Sequence, residues 1–248
     1  MSIRTFLTAI VCLAMPQRLK PPLLCALGHR VSRSARISVS LVLPQHISMG
    51  DGARIGPLNI IRTRRLVMRQ EAAIGRMNVI HGAFSVWLRR MAMIGNRNII
   101  NQGPLPDTAG PVLLRLGVWT KITASHYVNV SDSVLLGALT TIAGAGSQMW
   151  THGFVQLPDL NRPMVRGKIQ IGRNVYIGSH CCLSPGITIG DGVAVGAHSS
   201  VATSLTQPGV YVPASLRYIP LSPEKRMEGL RRIADDHYRR TAREWKRP

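Results

Sequence analysis

His152 is the side chain in this sequence whose type and setting best suit proton transfer. It follows "TTIAGAGSQMWT", at the point where a repetitive block ends and an interrupting segment begins. Imidazole changes charge near neutral pH, so a positioned histidine can accept the proton of an attacking hydroxyl group. The position alone also allows an ordinary loop histidine.

Four further polar residues are weaker candidates for binding an acceptor. His126, in "ITASHYVNV", falls at a corner of the repeat and is either part of an acceptor site or a plain surface histidine. Gln148 is a candidate for binding substrate or for orienting His152. Asn161 and Arg162 suit a polar acceptor, with a solvated loop as the alternative.

The element that must position these residues is a six-residue repeat, clearest in "IGRNVYIGSHCCLSPGITIGDGVAVGAHSSV". This period fits neither a helix, which repeats near 3.6, nor an ordinary strand, which repeats near 2. A small residue follows most aliphatic positions, and a second small or branched residue comes four places after them. The aliphatic positions are Ile171, Ile177, Leu183, Ile189, Val195 and Val201.

The same rhythm extends upstream, with a slip in phase and two interruptions. Each hexad is predicted to be one short strand and one sharp corner, and three hexads form a triangular coil whose aliphatic side chains point inward. Glycine after the aliphatic residue is expected to supply positive φ at the corner. The upstream inward positions are predicted to be Met49, Ile55, Ile61, Ile74, Ile80, Val86, Ile94, Ile100, Val118, Ala124, Val130, Leu136 and Ile142.

The chain therefore divides into an all-β solenoid and two shorter ends. Residues 37–205 are predicted to form the solenoid, with loops near 101–111 and 148–168. Residues 206–248 form an extension that ends in a basic amphipathic helix. Residues 1–36 contain short apolar, proline-broken helices with basic flanks; they are too short to span a bilayer and are interpreted as a cap on the solenoid, a membrane hook or, less favoured, a signal peptide.

The net charge of +20 allows several partners. It suits anionic lipid, an anionic substrate or nucleic acid. Three Phe and five Tyr are few for stacking on nucleic acid, so that class is not favoured. The four cysteines include the neighbours Cys181 and Cys182, a spacing that indicates neither a disulfide framework nor a metal site. Cys181 is predicted to face the core and Cys182 the solvent.

These hexads resemble those of the left-handed parallel β-helix, or hexapeptide-repeat, acyltransferases. The segments "TTIAGAGSQMWTHGF", "TSLTQPGVYVPASLRYIP" and "LLCALGHRVSRSARIS" are similar to stretches of O-acetyltransferases from bacterial surface-polysaccharide biosynthesis. The resemblance implies acyl transfer from acetyl-CoA to a sugar or lipid-linked sugar hydroxyl, with His152 as the base. It also implies a homotrimer with active sites between neighbours. The cysteine pattern indicates a reducing, cytoplasmic compartment and no metal.

For the acyl donor, the resemblance implies a coenzyme A groove that Ser179 and Ala197 would contact. The Thr-Lys pair of the family corresponds to Ala202-Thr203 here, which removes a usual phosphate-binding lysine. Thr203 and Arg217 are the remaining candidates for this end of the cofactor.

Other functions share this fold class. A non-catalytic trimeric scaffold and a serine or other small-molecule O-acetyltransferase remain alternatives, although 36 residues cannot supply the large helical domain usual in serine acetyltransferases. A carbonic anhydrase of this fold would need three histidines around one metal ion. The sequence does not place three of its histidines together; the candidates are His81, His126, His152, His180 and His198.

Overall fold

The computed structural model describes residues 2–103, 111–156 and 163–213. Two α-helices come first, α1 (Ile3–Ala14) and α2 (Lys20–Ala26). Ser2 caps α1 by accepting a hydrogen bond from the backbone N–H of Thr5. Short parallel strands then follow, three to each turn of a solenoid.

The first four coils contain twelve strands in chain order. They are β1 (Arg30–Val31), β2 (Arg36–Ile37), β3 (Leu41–Val42), β4 (His46–Met49), β5 (Arg54–Ile55), β6 (Ile60–Arg62), β7 (Arg65–Met68), β8 (Ala73–Ile74), β9 (Val79–His81), β10 (Ser85–Leu88), β11 (Met93–Asn96) and β12 (Ile99–Asn101).

The remaining coils contain fifteen strands. They are β13 (Leu113–Leu116), β14 (Lys121–Ala124), β15 (Tyr127–Asn129), β16 (Val134–Leu136), β17 (Thr141–Ile142), β18 (Gln148–Met149), β19 (His152–Phe154), β20 (Met164–Arg166), β21 (Ile169–Ile171), β22 (Tyr176–Ile177), β23 (Cys182–Leu183), β24 (Thr188–Ile189), β25 (Val193–Val195), β26 (Ser200–Val201) and β27 (Gly209–Tyr211).

The strands form three parallel sheets, one for each face of a triangular prism. Sheet A has the order β1-β4-β7-β10-β13-β16-β21-β24, and sheet B has the order β2-β5-β8-β11-β14-β17-β22-β25-β27. Sheet C has the order β26-β23-β18-β15-β12-β9-β6-β3. Each coil visits A, B and C in turn, which confirms the predicted solenoid and is consistent with a left-handed β-helix.

The core is a stack of inward aliphatic side chains, as the hexads predict. From Ile171 to Val201 every predicted aliphatic position is buried. The second position of the hexad is buried as well, including Cys181, whereas Cys182 is exposed. One coil cannot bury its own inward face, so these contacts between neighbouring coils hold the fold together.

The predicted phase is wrong in one coil. Val118 and Ala124 are half-buried, and the inward residues of that coil are Leu116, Ile122 and Val128. These three align with Leu88, Ile94 and Ile100 of the previous coil. The insertion after Asn101 shifts the six-residue phase of the inward positions, because its length need not be a multiple of six.

The glycine after each aliphatic residue has a different role from the predicted one. Positive φ occurs two positions further on, for example at Asn174, His180 and His198. A Cβ atom at Gly95 would instead collide with the carbonyl oxygen of Thr123 in the next coil. Glycine is therefore needed here because neighbouring coils approach closely, and the corner residue itself adopts the left-handed conformation.

The strand boundaries extend beyond the predicted solenoid limits. Strand β1 begins at Arg30, and β27 pairs in parallel with β25 after residue 205. Gln148 and Met149 also remain in sheet C as β18, so the chain leaves the coil only after them. The predicted C-terminal helix, together with residues 104–110 and 157–162, lies outside the described residues.

The N-terminal helices pack on the first coil. Val11 and Cys12 of α1 and Leu24 of α2 are buried in the main hydrophobic core. The buried Nζ of Lys20 donates hydrogen bonds to the carbonyl oxygens of Cys12 and Ile37, at 2.7 Å each. The opposite face of α1 leaves Ile3, Phe6, Leu7, Ile10 and Leu13 exposed.

Candidate functional site

His152 begins an antiparallel hairpin that leaves the prism where sheet C turns toward sheet A. Strand β18 ends at Met149, and β19 then pairs with β20 so that His152 lies opposite Arg166. Thr151 is fully buried just before it, while His152 is half-buried. The hairpin therefore fixes the histidine backbone and leaves its ring at the rim of the solenoid.

A buried asparagine orients the imidazole ring. Nδ1 of His152 lies 2.9 Å from Oδ1 of Asn129, which is 1% exposed. The same oxygen accepts hydrogen bonds from the backbone N–H of Ser131 at 3.1 Å and from Oγ1 of Thr151 at 2.9 Å. Because a backbone N–H can only donate, this amide oxygen is an acceptor, and Nδ1 of His152 must carry the ring proton.

The opposite nitrogen of the ring is the one that can act as a base. With the proton on Nδ1, Nε2 of His152 keeps its lone pair, and it makes no hydrogen bond within the described part of the chain. Gly103 lies beside it: a Cβ atom at that position would lie 3.7 Å from Nε2. The absence of a side chain at Gly103 keeps space next to this nitrogen.

Aromatic side chains form a wall beside His152. The rings of Tyr127 and Trp150 are 4.8 Å apart, and Trp150 meets His152 edge-on at 6.1 Å. The hydroxyl group of Tyr127 donates to Oδ1 of Asn101 at 2.9 Å. Nε1 of Trp150 donates to Oε1 of Gln148 at 3.0 Å, so Gln148 contacts the tryptophan and not His152.

His126 is neither part of this group nor a surface histidine, the two alternatives that its place at a corner left open. It is 2% exposed, and both ring nitrogens are used inside the prism. Nδ1 accepts from the backbone N–H of Ser147 at 3.1 Å, and Nε2 donates to Oγ1 of Thr123 at 2.9 Å. Burial lowers the pKa of His126 to about 4, with a smaller contribution from the charge of His180.

The position of His126 belongs to a ladder of buried polar side chains that links successive coils. Oδ1 of Asn59 accepts from the backbone N–H of Asn78, Oδ1 of Asn78 from that of Asn98, and Oδ1 of Asn98 from that of His126. Nδ1 of His126 continues the series to Ser147. Its role is therefore to satisfy backbone donors in the core.

The residues proposed for the acyl donor lie at another corner. Ser179 is half-buried and Ala197 is exposed, at equivalent points of neighbouring coils between sheets B and C. Next to them the rings of His180 and His198 stack in parallel with centroids 5.0 Å apart. Thr203 is exposed after the last strand of sheet C, and Asn161, Arg162 and Arg217 lie outside the described residues. Within the described residues of one chain, this corner and His152 are not brought together.

Sequence reasoning missed the residues that orient His152. Asn129 becomes its neighbour only when two coils stack, and a single asparagine in "YVNV" carries no signal of its own. Thr151 directly precedes His152, but its hydrogen bond to Asn129 also forms only between stacked coils. Trp150, by contrast, stands two positions before the histidine and could have been found as its neighbour from the sequence. No group of three metal-binding side chains occurs among the residues that the structure describes.

Comparisons with known proteins agree with the repeat. The family "Bacterial transferase hexapeptide (six repeats)" matches residues 168–203. The galactoside O-acetyltransferase of Escherichia coli (strain K12) is 34% identical over 84 residues. That match covers 34% of this chain and 39% of the relative, so the chain spans about two-fifths of the length of the curated relative that it matches.

Solved structures of AntD, an N-acyltransferase from Bacillus cereus, also align with the chain. The complex with dTDP and 3-hydroxybutyryl-CoA is 18% identical, covers 92% of this chain and 100% of its own, and has a TM-score of 0.32. A mutant in complex with dTDP and coenzyme A is 16% identical, covers 75% and 91%, and has a TM-score of 0.37. Both TM-scores are below 0.5. The match to the repeat over residues 168–203 confirms the predicted resemblance to the hexapeptide-repeat acyltransferases.

Proposed function

We propose that this protein is a coenzyme A-dependent O-acyltransferase that transfers an acyl group to a sugar hydroxyl. The proposed acyl group is acetyl. The observation that carries the proposal is the fixed tautomer of His152. Asn129 holds Nδ1 at 2.9 Å and leaves the lone pair of Nε2 beside the space at Gly103. The 34% identity to a galactoside O-acetyltransferase over 84 residues supports the reaction class.

In the proposed reaction, Nε2 of His152 takes the proton of the acceptor hydroxyl group as its oxygen attacks the thioester carbonyl carbon. The tetrahedral intermediate then expels the coenzyme A thiolate, which recovers the proton from the imidazolium ion. The products are the acyl ester and free thiol. No covalent enzyme intermediate is needed, because a thioester is already activated. A base positioned in this way contributes about 10²–10⁴ to the rate.

The acceptor side of the site suits a sugar. The aromatic wall of Tyr127 and Trp150 offers a flat apolar surface, and Gln148 adds a polar group at its edge. Asn161 and Arg162, outside the described residues, remain proposed acceptor contacts. This combination favours a sugar over serine, the acceptor of the alternative small-molecule acetyltransferase.

We place the acyl donor at the corner of Ser179 and Ala197, with Thr203 and Arg217 toward its phosphates. Because this corner and His152 lie on different edges of the prism, one chain does not complete the site. A homotrimer in which neighbouring prisms pack side by side would bring one chain's His152 to another chain's donor corner, as closed cyclic symmetry allows.

A cytoplasmic role in surface-polysaccharide biosynthesis, with peripheral contact to the membrane, is part of the proposal. Lipid-linked sugar intermediates are modified at that surface. The exposed apolar face of α1 is followed in the sequence by exposed basic residues, among them Arg18, Arg30 and Arg33. Such a helix lies in the interface plane and is aided by anionic lipid. No helix within the described ranges is long and apolar enough to cross a membrane.

The direct test is a thiol-release assay with acetyl-CoA and a panel of sugars, nucleotide-sugars and lipid-linked sugars, with mass measurement of the product. We expect one class of acceptor to gain the mass of an acetyl group with equal release of thiol. Release of no thiol above hydrolysis with any acceptor, in a correctly folded sample, would favour the non-catalytic scaffold.

A further inference from the structure

A second concave site lies near the N-terminal end of the prism. It is a cavity of about 760 Å³ between the first turn of α1 and the edge where sheet C turns toward sheet A. The proposed reaction assigns it no role. Its lining includes Arg4, Gln45, His46, Arg62, Arg64 and His81.

The cavity is strongly cationic. Three arginines and two histidines line it, and none of its described lining residues is acidic. Arg4 is fixed in place because its Nη2 donates to the carbonyl oxygen of Gln45 at 2.7 Å, which joins α1 to the second coil. Arginine presents several N–H donors in a planar fork that matches phosphate oxygens.

Buried His29 lies close enough to Arg4 and His46 of the cavity lining for their charges to affect it. The pKa of His29 is lowered to about 4, first by burial and then by the positive charges of Arg4 and His46. Nε2 of His29 bonds to Oγ1 of Thr8, and Nδ1 accepts the backbone N–H of Ile47. Arg4 and Arg62 thus bring two permanent positive charges to this cavity.

The cavity and the candidate active site share one edge of the prism. Arg62 pairs in register with His81, His81 with Asn101, and Asn101 with Asn129. Asn129 is the residue that holds His152. Since neighbouring strands are about 4.8 Å apart, three steps place Arg62 about 14 Å from Asn129 along this row.

We propose that the cavity binds a phosphate or diphosphate group of the acceptor, so that the acceptor is a sugar linked to a diphosphate carrier. This inference rests on the proposed acyltransferase function. The charged group would lie against Arg4, Arg62 and His81, and the sugar or short saccharide would extend along the edge toward His152. The carrier is either a nucleotide or a lipid, since both present the same diphosphate.

Coenzyme A also carries a diphosphate and is the main competing occupant. In the proposed homotrimer another chain's donor corner would face this edge, so the edges alone do not separate the two ligands. That corner, at Ser179 and Ala197, lies in the coils that follow the hairpin of His152, whereas the cavity lies in the first coils, which precede it along the prism. The row of paired residues that starts at Arg62 ends at Asn129, which holds His152. His152 is the residue proposed to act on the acceptor. The geometry therefore favours the acceptor.

The first test measures binding of inorganic pyrophosphate to the full chain by calorimetry at low salt, without acetyl-CoA. The double variant Arg62→Gln/His81→Gln removes two exposed lining groups, and Arg69→Gln is the matched control because that exposed arginine lies on another edge. We expect the double variant to weaken binding about tenfold or more, and the control to match wild type. Equal affinity in all three proteins would overturn the proposal.

This binding measurement does not depend on catalysis, so it separates the two claims. If pyrophosphate binds through Arg62 and His81 but no acceptor is acylated, the proposed reaction is disproved and the phosphate-binding site is upheld. If acyl transfer occurs but the double variant binds pyrophosphate as wild type does, only the phosphate-binding site is disproved and the proposed reaction is upheld.

The second test uses kinetics with a nucleotide-sugar and with a lipid diphosphate-sugar in detergent micelles. We expect the double variant to raise KM for the active diphosphate acceptor about tenfold and to leave KM for acetyl-CoA unchanged; the acceptor that turns over identifies the carrier. A raised KM for acetyl-CoA with an unchanged KM for the acceptor would assign the cavity to coenzyme A and contradict the proposal.

Discussion

Nδ1 of His152 and Oδ1 of Asn129 lie 2.9 Å apart, although 23 residues separate them in the chain. Asn129 ends a strand of one coil, and His152 begins the hairpin that leaves the next coil. Stacking of the two coils therefore sets the tautomer of the histidine. The hydrogen bonds from Ser131 and Thr151 fix the asparagine oxygen as an acceptor.

The first prediction concerns this pair. Asn129→Asp keeps the acceptor oxygen and adds a negative charge, which favours the protonated form of the imidazole. We expect the acidic limb of the kcat/KM profile to move to higher pH, because the imidazolium ion of His152 then loses its proton, and becomes a base, only at a higher pH.

The matched control is Asn101→Asp, one coil earlier in the same register and bonded to Tyr127. It should leave the profile in place. A wild-type profile for Asn129→Asp, in a protein with a normal thermal melt, would show that Asn129 does not orient the base.

The second prediction concerns acid stability. Burial lowers the folded-state pKa of His126 to about 4, below the ordinary value of 6.5. The unfolded chain thus binds a proton that the native chain does not, and the free energy of unfolding falls as pH drops from about 6.5 to 4. The loss from this group is at most about 3 kcal/mol.

His126→Asn tests it, because the preceding ladder positions, Asn59, Asn78 and Asn98, already hold asparagine. The variant should fold and lose less stability between pH 7 and pH 4 in urea titrations. His81→Asn, an exposed position, serves as the control. An acid loss identical to wild type in the His126 variant would disprove the assignment.

The third prediction concerns glycine in the coil stack. Gly95→Ala places a Cβ atom against the carbonyl oxygen of Thr123, so neighbouring coils must separate. We expect a loss of about 1–3 kcal/mol, as for other overpacked core positions, seen as a lower Tm. Gly153→Ala meets nothing within 4 Å and should melt close to wild type. Equal melting of the two variants would argue against close approach as the reason for glycine.

The solenoid could be predicted because its signal is local and repeated. Between Ile171 and Val201 each hexad has its aliphatic residue at the same inward position. The prediction that Cys181 and Cys182 lie on opposite faces is confirmed. The coil after the 101–111 insertion could not be phased in this way. Val118, Ala124 and Val130 also read as a six-residue series, and only pairing with Leu88 and Ile94 selects Leu116 and Ile122.

The candidate site was predictable only in part. His152 stands in a distinctive local segment, but Asn129 and Gly103 reach it through stacking of coils that are distant in sequence. His126 looked like a surface histidine because corners are usually exposed. Its side chain instead turns inward and takes the place that asparagine holds in earlier coils.

The fourth prediction concerns the N-terminal helix. One side of α1 packs on the first coil, while Phe6 and Ile10 remain exposed on the other side. Phe6→Ser/Ile10→Ser should reduce flotation with anionic liposomes and leave the Tm nearly unchanged, since these side chains lie outside the core. Binding of wild type should weaken as salt rises.

The control for this experiment is Leu58→Ser, which alters an exposed leucine at a coil corner. It should float as wild type does. If wild type floats with neither anionic nor neutral liposomes at low salt, α1 serves only as a cap.

The central claim is tested most directly by kcat of His152→Ala in the thiol-release assay, measured beside a thermal melt. The side chain is half-buried at the rim, so its removal should leave the coil stack intact. We predict that turnover falls by about 10² or more while the Tm stays near that of wild type. Turnover within a few-fold of wild type would contradict the assignment of His152 as the general base.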